Sequence, residues 1–336
     1  MVASRLARRS LLGCFLLASA CAAQEPASSA VESELVPSIA VSNAGPGVEQ
    51  SIPASLEKRA PGASAPTSAL HAPTAEELAR YPWLTEGTEV RALEDSIAPP
   101  KGYRRVSVED GSFGAFLRRL PLRPEGTPVR AYDGRLLRNA ESSGVTAVAE
   151  LDVSNTDIQQ CADSVIRLHA EWKWSKGEQA SVGYHFLSGD FATWPKFAAG
   201  QRPVAEGKGV RWTQSGKAGS DHATYRKYLD MVFNYASTIS LDKKSSSPID
   251  HADIAPGDFF VLPGGPGHAI LILDVVTDEH GHRSALLGQG FMPAQDFHVL
   301  HPLGGEQGPW FSLDGDAVDT PFWPEPFPWS SLRRMK

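Results

Sequence analysis

Three residues have the types, and stand in the chain order, that nucleophilic amide chemistry uses: Cys161 in IQQCADSVIRLHAEW, His268 in GGPGHAILILDVV and Gln289 in ALLGQGFM. A thiol attacks a carbonyl only when a base takes its proton, and the base works only when a third group holds it in the right orientation. The chain has three cysteines, and Cys14 and Cys21 fall inside or at the end of an N-terminal export signal. That leaves Cys161 without an intramolecular partner in a compartment where thiols usually pair. Such a thiol is either packed into a core or used.

The elements that position these residues can be read around them. Ile158, Cys161, Ala162, Val165, Leu168, His169 and Trp172 recur on one face of a helix, so Cys161 faces the interior. Thr156 or Asp157 can cap this helix, and Asp157 with Gln160 has the spacing of a capping box. Cys161 then lies in the first turn or just past it, where the helix dipole favours a thiolate. Residues 258–262, 268–276 and 284–291 are β-rich segments separated by turn formers, the pattern of an antiparallel meander. A turn centred near Glu279 and His280 brings Gln289 close to His268 across the ladder. His268, Ile270 and Ile272 share a strand face, and a helix packed on that face would present Cys161 to His268. An imidazolium so placed predicts a depressed thiol pKa.

Further elements complete a mixed pattern. Strands are expected at 102–108, 145–153 and 180–187, helices at 112–120 and 221–240, and a hairpin around Asp133-Gly134. Together they predict an α+β fold, a helix packed on an antiparallel sheet. Asp258 reads as a turn residue at a strand entry.

The organisation ahead of this domain is a leader and a linker. Arg5, Arg8 and Arg9, then the apolar run 10–17, then Ala18-Ser19-Ala20-Cys21 form a secretory signal over residues 1–21. The last four residues resemble a lipobox, so Cys21 is the expected lipidation site and membrane anchor; cleavage after Ala22 to a soluble periplasmic or secreted form is the alternative. The Arg8-Arg9 pair leaves general and twin-arginine export both open. Residues 22–75 are rich in Ala, Ser and Pro, and residues 24–74 contain no aromatic side chain. Such a segment is expected to be a disordered tether. All eight tryptophans lie from Trp83 onward, which places a single domain at 76–336.

Net charge is −7, with the basic residues scattered, so nucleic acid is not an expected partner. No phosphate loop, dinucleotide fingerprint, GxSxG elbow or CxxC pair occurs, and no cofactor is expected. The pairs His280/His282 and His298/His301 read as loop histidines rather than metal ligands.

The cysteine at a helix start, PGDFFV, the histidine opening a strand and the polar residue on the next strand together resemble the papain-like fold in its bacterial NlpC-type form, over about residues 150–300. That resemblance implies a cell-envelope cysteine peptidase or amidase with Cys161 as nucleophile, His268 as base and Gln289 as orienting residue. Gln289 stands where a histidine is more usual. QQCADSVIRLHAEW, GDFFVLPGGPGHAILILDVV, LLGQGFMPAQDFHVL and TPFWPEPF also resemble, over residues 95–336, a bacterial envelope family catalogued only as a domain of unknown function. Two functions stay open: a peptidase or amidase acting on envelope peptide, and a non-catalytic module that binds envelope peptide or glycan in the same cleft.

Overall fold

The computed structural model describes residues 69–305 and 307–336. The expected export signal, the expected lipidation site Cys21 and the expected linker up to residue 68 lie outside the described residues. The described chain starts ahead of the boundary expected near 75: His71 pairs with Val90, and Thr74 caps the helix Ala75–Arg80 through a capping box with Glu77.

The fold is α+β, built on one mostly antiparallel sheet. Its strands are β1 (Arg104–Arg105), β2 (Val145–Val148), β3 (Ser246–Pro248), β4 (Phe259–Leu262), β5 (His268–Thr277), β6 (Arg283–Gln289), β7 (His298–Leu300), β8 (Phe311–Ser312) and β9 (Leu332–Met335). Across the sheet the order is β3, β9, β4, β5, β6, β7, β2, with β8 pairing β6 and β1 pairing β5. The expected β4–β5–β6 meander is present, with Leu271 opposite Gly288 and Ile272 opposite Leu287. β6 ends at Gln289 rather than at 291.

β5 reads HAILILDVVT and is buried along nearly its whole length. A strand covered on both faces needs apolar side chains at every position, which is why this run is continuous rather than alternating. Ala269, Leu271 and Leu273 pack under the helix α2 (Cys161–Ser175), against Ala162, Val165 and Ile166. Ile270 and Ile272 join the opposite layer with Phe260, Leu287, Phe327 and Leu332. At about 25 cal/mol per Å² of apolar surface, these two layers are the principal stabilisation of the sheet.

A bulge in β5 falls between Ile272 and Asp274 and turns the Asp274 carboxylate toward the helix α1 (Phe113–Arg118). Asp274 is fully buried and accepts from Arg105 Nε and Arg118 Nε, each at 2.7 Å, and from the Val275 amide at 2.9 Å. A second buried network locks α2 to the helix α3 (His222–Tyr235). Arg167 Nε meets Glu171 at 2.8 Å, His222 Nε2 meets Glu171 at 2.8 Å, and Arg167 also bonds Asp152 and Gln159 in the segment leading into α2.

Several boundaries differ from expectation. α2 begins at Cys161, with Gln160 as N-cap, because Asp157 is occupied elsewhere: its Oδ1 accepts from the Ala294 amide at 2.6 Å and from Gln160 Nε2 at 3.0 Å. The helix expected over 221–240 ends at Tyr235; Ala236 is extended and Ser237 caps a new short turn, Thr238–Ser240. The strand expected at 180–187 is only Gly183–His185, and that at 102–108 only β1.

Candidate active site

Cys161 is the first residue of α2, so it lies in the first turn as expected, at the positive end of the helix dipole. The N-cap amide of Gln160 donates to Asp163 Oδ2 at 3.1 Å, so Asp163 closes the helix start two residues beyond the thiol. Cys161 Sγ lies 3.8 Å from Gly267 O and takes backbone amide contacts from Ala269, Ala162 and its own N–H. The sulfur therefore sits against the backbone on either side of His268, where the β5–β6 ladder has ended and the start of α2 takes its place. Gly290 shows how close this approach is: a Cβ there would clash with Ser164 Oγ.

His268 and Gln289 meet as expected. His268 Nε2 is 2.7 Å from Gln289 Oε1, and both residues are buried, at 0% and 1% exposure. The other ring nitrogen, Nδ1, is buried and has no hydrogen-bond partner. Trp323 stacks on the imidazole at 4.8 Å and 24°, and Phe291 meets it edge-on at 4.9 Å. A neutral ring whose Nε2 donates to an amide oxygen keeps Nδ1 as its free acceptor, the atom a general base would use.

Two expectations need correction. α2 does not pack on the face shared by His268, Ile270 and Ile272; it covers the alternate face of Ala269, Leu271 and Leu273. Cys161 reaches the neighbourhood of His268 through the end of the helix rather than through its face, and no hydrogen bond joins Sγ to the imidazole among the described residues. The depressed thiol pKa is also overturned. Cys161 is 4% exposed, and burial pushes its thiol up to about 12, with Asp163 adding to the rise and the backbone amides opposing it. Burial holds His268 down to about 4, against the hydrogen bond it makes to Gln289, which favours the protonated ring. At neutral pH the pair is a thiol and an imidazole, not a thiolate and an imidazolium.

The site is closed. Two surface grooves, the first of about 270 Å³ between Arg80, Ser112, Arg119, Trp172 and Lys176, include none of Cys161, His268 and Gln289. What covers His268 is the 319–326 segment joining Ala317–Val318 to Phe327–Pro328. Phe322 in that segment has φ +74°, a left-handed conformation costly for a bulky residue. It is held between the Arg138 guanidinium, 3.5 Å above its ring, and Gly144, where any Cβ would strike the ring. Trp323 lies half-buried, and its indole N–H has no partner.

Residue reading alone missed four participants. His298, read with His301 as a loop histidine, is instead a buried strand residue that lies directly opposite Gln289 and touches its amide; the apolar alternation of QDFHVL is the signal that would have placed it on a strand. Asp163 is buried beside the thiol, and burial raises its carboxyl to about 8. Phe322 and Trp323 come from a Pro-rich segment more than thirty residues beyond Gln289 in the chain, with no periodicity to place them. Asp258 behaves as the turn residue expected, accepting from the Ala255 amide at 2.7 Å and pairing with Arg334.

Among the described residues no helix is long and apolar enough to cross a membrane. No curated protein and no solved structure shows significant similarity to the chain. The family model described as Domain of unknown function (4846) matches residues 93–334, which take in every strand and helix of the site, and the chain belongs to that family.

Proposed function

We propose that this chain is a cysteine hydrolase of the cell envelope, a peptidase or amidase acting on envelope peptide through Cys161, His268 and Gln289 in a papain-like, NlpC-type arrangement. The observation that carries this reading is the imidazole: Nε2 is engaged by Gln289 while Nδ1 is buried and unpartnered beside the strand edge where the Cys161 sulfur sits. A core histidine ordinarily satisfies both nitrogens. In the reaction, Sγ attacks the amide carbon as its proton passes to His268 Nδ1. The imidazolium returns that proton to the leaving amine, and water then cleaves the thioester by the same route. The backbone amides of Cys161 and Ala162 are the donors available to the oxyanion.

The closed form is its resting state. With the thiol near 12 and the imidazole near 4, neither group is poised for reaction. Moving the Trp323 segment aside admits water and substrate, and rehydration returns both groups toward their ordinary ranges. The expected setting is an exported protein tethered by a lipidated Cys21. Fatty-acid labelling in cells that marks the wild type and spares Cys21→Ser supports the tether, and equal labelling of both removes it.

A second reading is favoured by the closure itself: a non-catalytic papain-like module whose Cys161 is a core residue. The deciding experiment incubates the full-length protein, wild type and Trp323→Ala, with peptidoglycan stem peptides and looks by mass spectrometry for cleavage and for a thioester on Cys161. Cleavage lost in Cys161→Ala supports the hydrolase. Absence of both products from both proteins leaves the binding module.

A further inference from the structure

The hydrogen bonds of the site continue past Gln289. His298 opens β7, is fully buried, and stands directly opposite Gln289 in the ladder. Its Nδ1 is 3.0 Å from Asp296 O, and its Nε2 is 3.3 Å from Gln289 Nε2. A carbonyl oxygen only accepts, so Nδ1 of His298 carries the proton. Burial keeps this ring neutral, lowering it to about 4, so its Nε2 is a bare acceptor. Gln289 Nε2 then donates to it, which orients the amide with Oε1 toward His268. That oxygen accepts from His268 Nε2 at 2.7 Å, so the His268 proton sits on Nε2 and Nδ1 is left with its lone pair. The direction of every bond follows from one backbone carbonyl. Reversing the Gln289 amide would place two acceptors, Gln289 Oε1 and His298 Nε2, against each other.

We propose that His298 is a positioning residue of the site: acting through Gln289, it sets the tautomer that leaves His268 Nδ1 free to act as a base. The role rests on the hydrolase reading for its purpose, but its test does not need hydrolysis. Phe322, whose ring lies 6.2 Å from that of His298, belongs to the same segment as Trp323, which stacks on His268. The relay is thus packed against the covering segment at both ends, in keeping with an amide that must stay in one orientation.

The experiment is a long-range nitrogen–proton correlation of the full-length protein labelled with ¹⁵N-histidine, at pH 7, with His268 and His298 assigned by single substitution. The expected spectrum shows His268 as a pure Nε2–H tautomer and His298 as a pure Nδ1–H tautomer. In His298→Phe, which keeps a ring and removes the acceptor, His268 should become a tautomer mixture. In His298→Gln, whose side-chain oxygen can accept from Gln289, the Nε2–H pattern should return. A proton on Nδ1 of His268 or on Nε2 of His298 in the wild type overturns the proposal, even if His298→Phe fails to fold. An unchanged His268 pattern in folded His298→Phe overturns it equally. The expected tautomers in a protein without hydrolytic activity remove the hydrolase and leave the relay; activity with the opposite tautomer removes only the relay.

Discussion

Iodoacetamide should alkylate native Cys161 at pH 8 about a thousandfold more slowly than it alkylates the unfolded chain. The reagent reads the thiolate. Burial, then Asp163, moves the thiol from its ordinary value of 9.0 to about 12. At pH 8 that change lowers the thiolate fraction from about one in ten to about one in 10⁴, equivalent to about 4 kcal/mol. The backbone amides of Ala269, Ala162 and Cys161 oppose the rise without matching the loss of solvation. The assay follows alkylation by mass spectrometry from pH 6 to pH 10, in buffer and in denaturant. In buffer the logarithm of the rate should climb with unit slope and no plateau. His268→Ala should leave that curve in place, since a neutral imidazole gives a thiolate no support. A plateau below pH 8 that His268→Ala removes would establish an ion pair in the resting protein and refute this account of the site.

Acid should destabilise the fold through buried neutral histidines. Burial lowers His169 to about 3 and His268 and His298 to about 4, so the stability they contribute is complete above pH 6.5 and lost as pH falls toward 4. Asp163, raised to about 8, works in the opposite direction, because its stabilisation is complete below the unfolded carboxyl value and fades toward pH 8. Between pH 6.5 and 4 these four groups leave a net uptake of two protons on unfolding, a slope of about 3 kcal/mol per pH unit; urea midpoints that stay level across that window would contradict it. Trp323→Ala should raise the acylation of His268 by diethyl pyrocarbonate about tenfold, since a stacked ring pair is worth about 0.5–1.5 kcal/mol beyond its buried area; an unchanged rate means the segment is not the cover. Asp274→Ala leaves the Arg105 and Arg118 guanidinium groups without their shared carboxylate and should cost about 3–5 kcal/mol. A loss under about 1 kcal/mol in thermal or urea unfolding would show that the two arginines find other partners.

Much of the sheet was legible because its signals are local. β4, β5 and β6 are apolar runs separated by turn formers, and their register follows from where the turn sits, so the meeting of His268 with Gln289 could be anticipated. α3 starts where Asp221 can cap it, and α1 where Ser112 can. The start of α2 was placed too early, because Asp157 is a good cap by sequence and is drawn away by the Ala294 amide, a partner from a distant strand.

By itself the sequence determined the α+β class, the meander, the amphipathic helix that carries the thiol near its start and the chain order of cysteine, histidine and glutamine. Each of these rests on spacing along the chain, which backbone geometry converts directly into a shared face or a paired register. Only the tertiary structure decided which face of β5 the helix covers, because a strand buried on both sides has apolar residues at every position and gives no sign of which layer lies where. It also decided the ionisation of the site. Whether a thiol beside a histidine is a thiolate depends on how much water reaches the pair, and the segment that covers the histidine, carrying Phe322 and Trp323, comes from far along the chain.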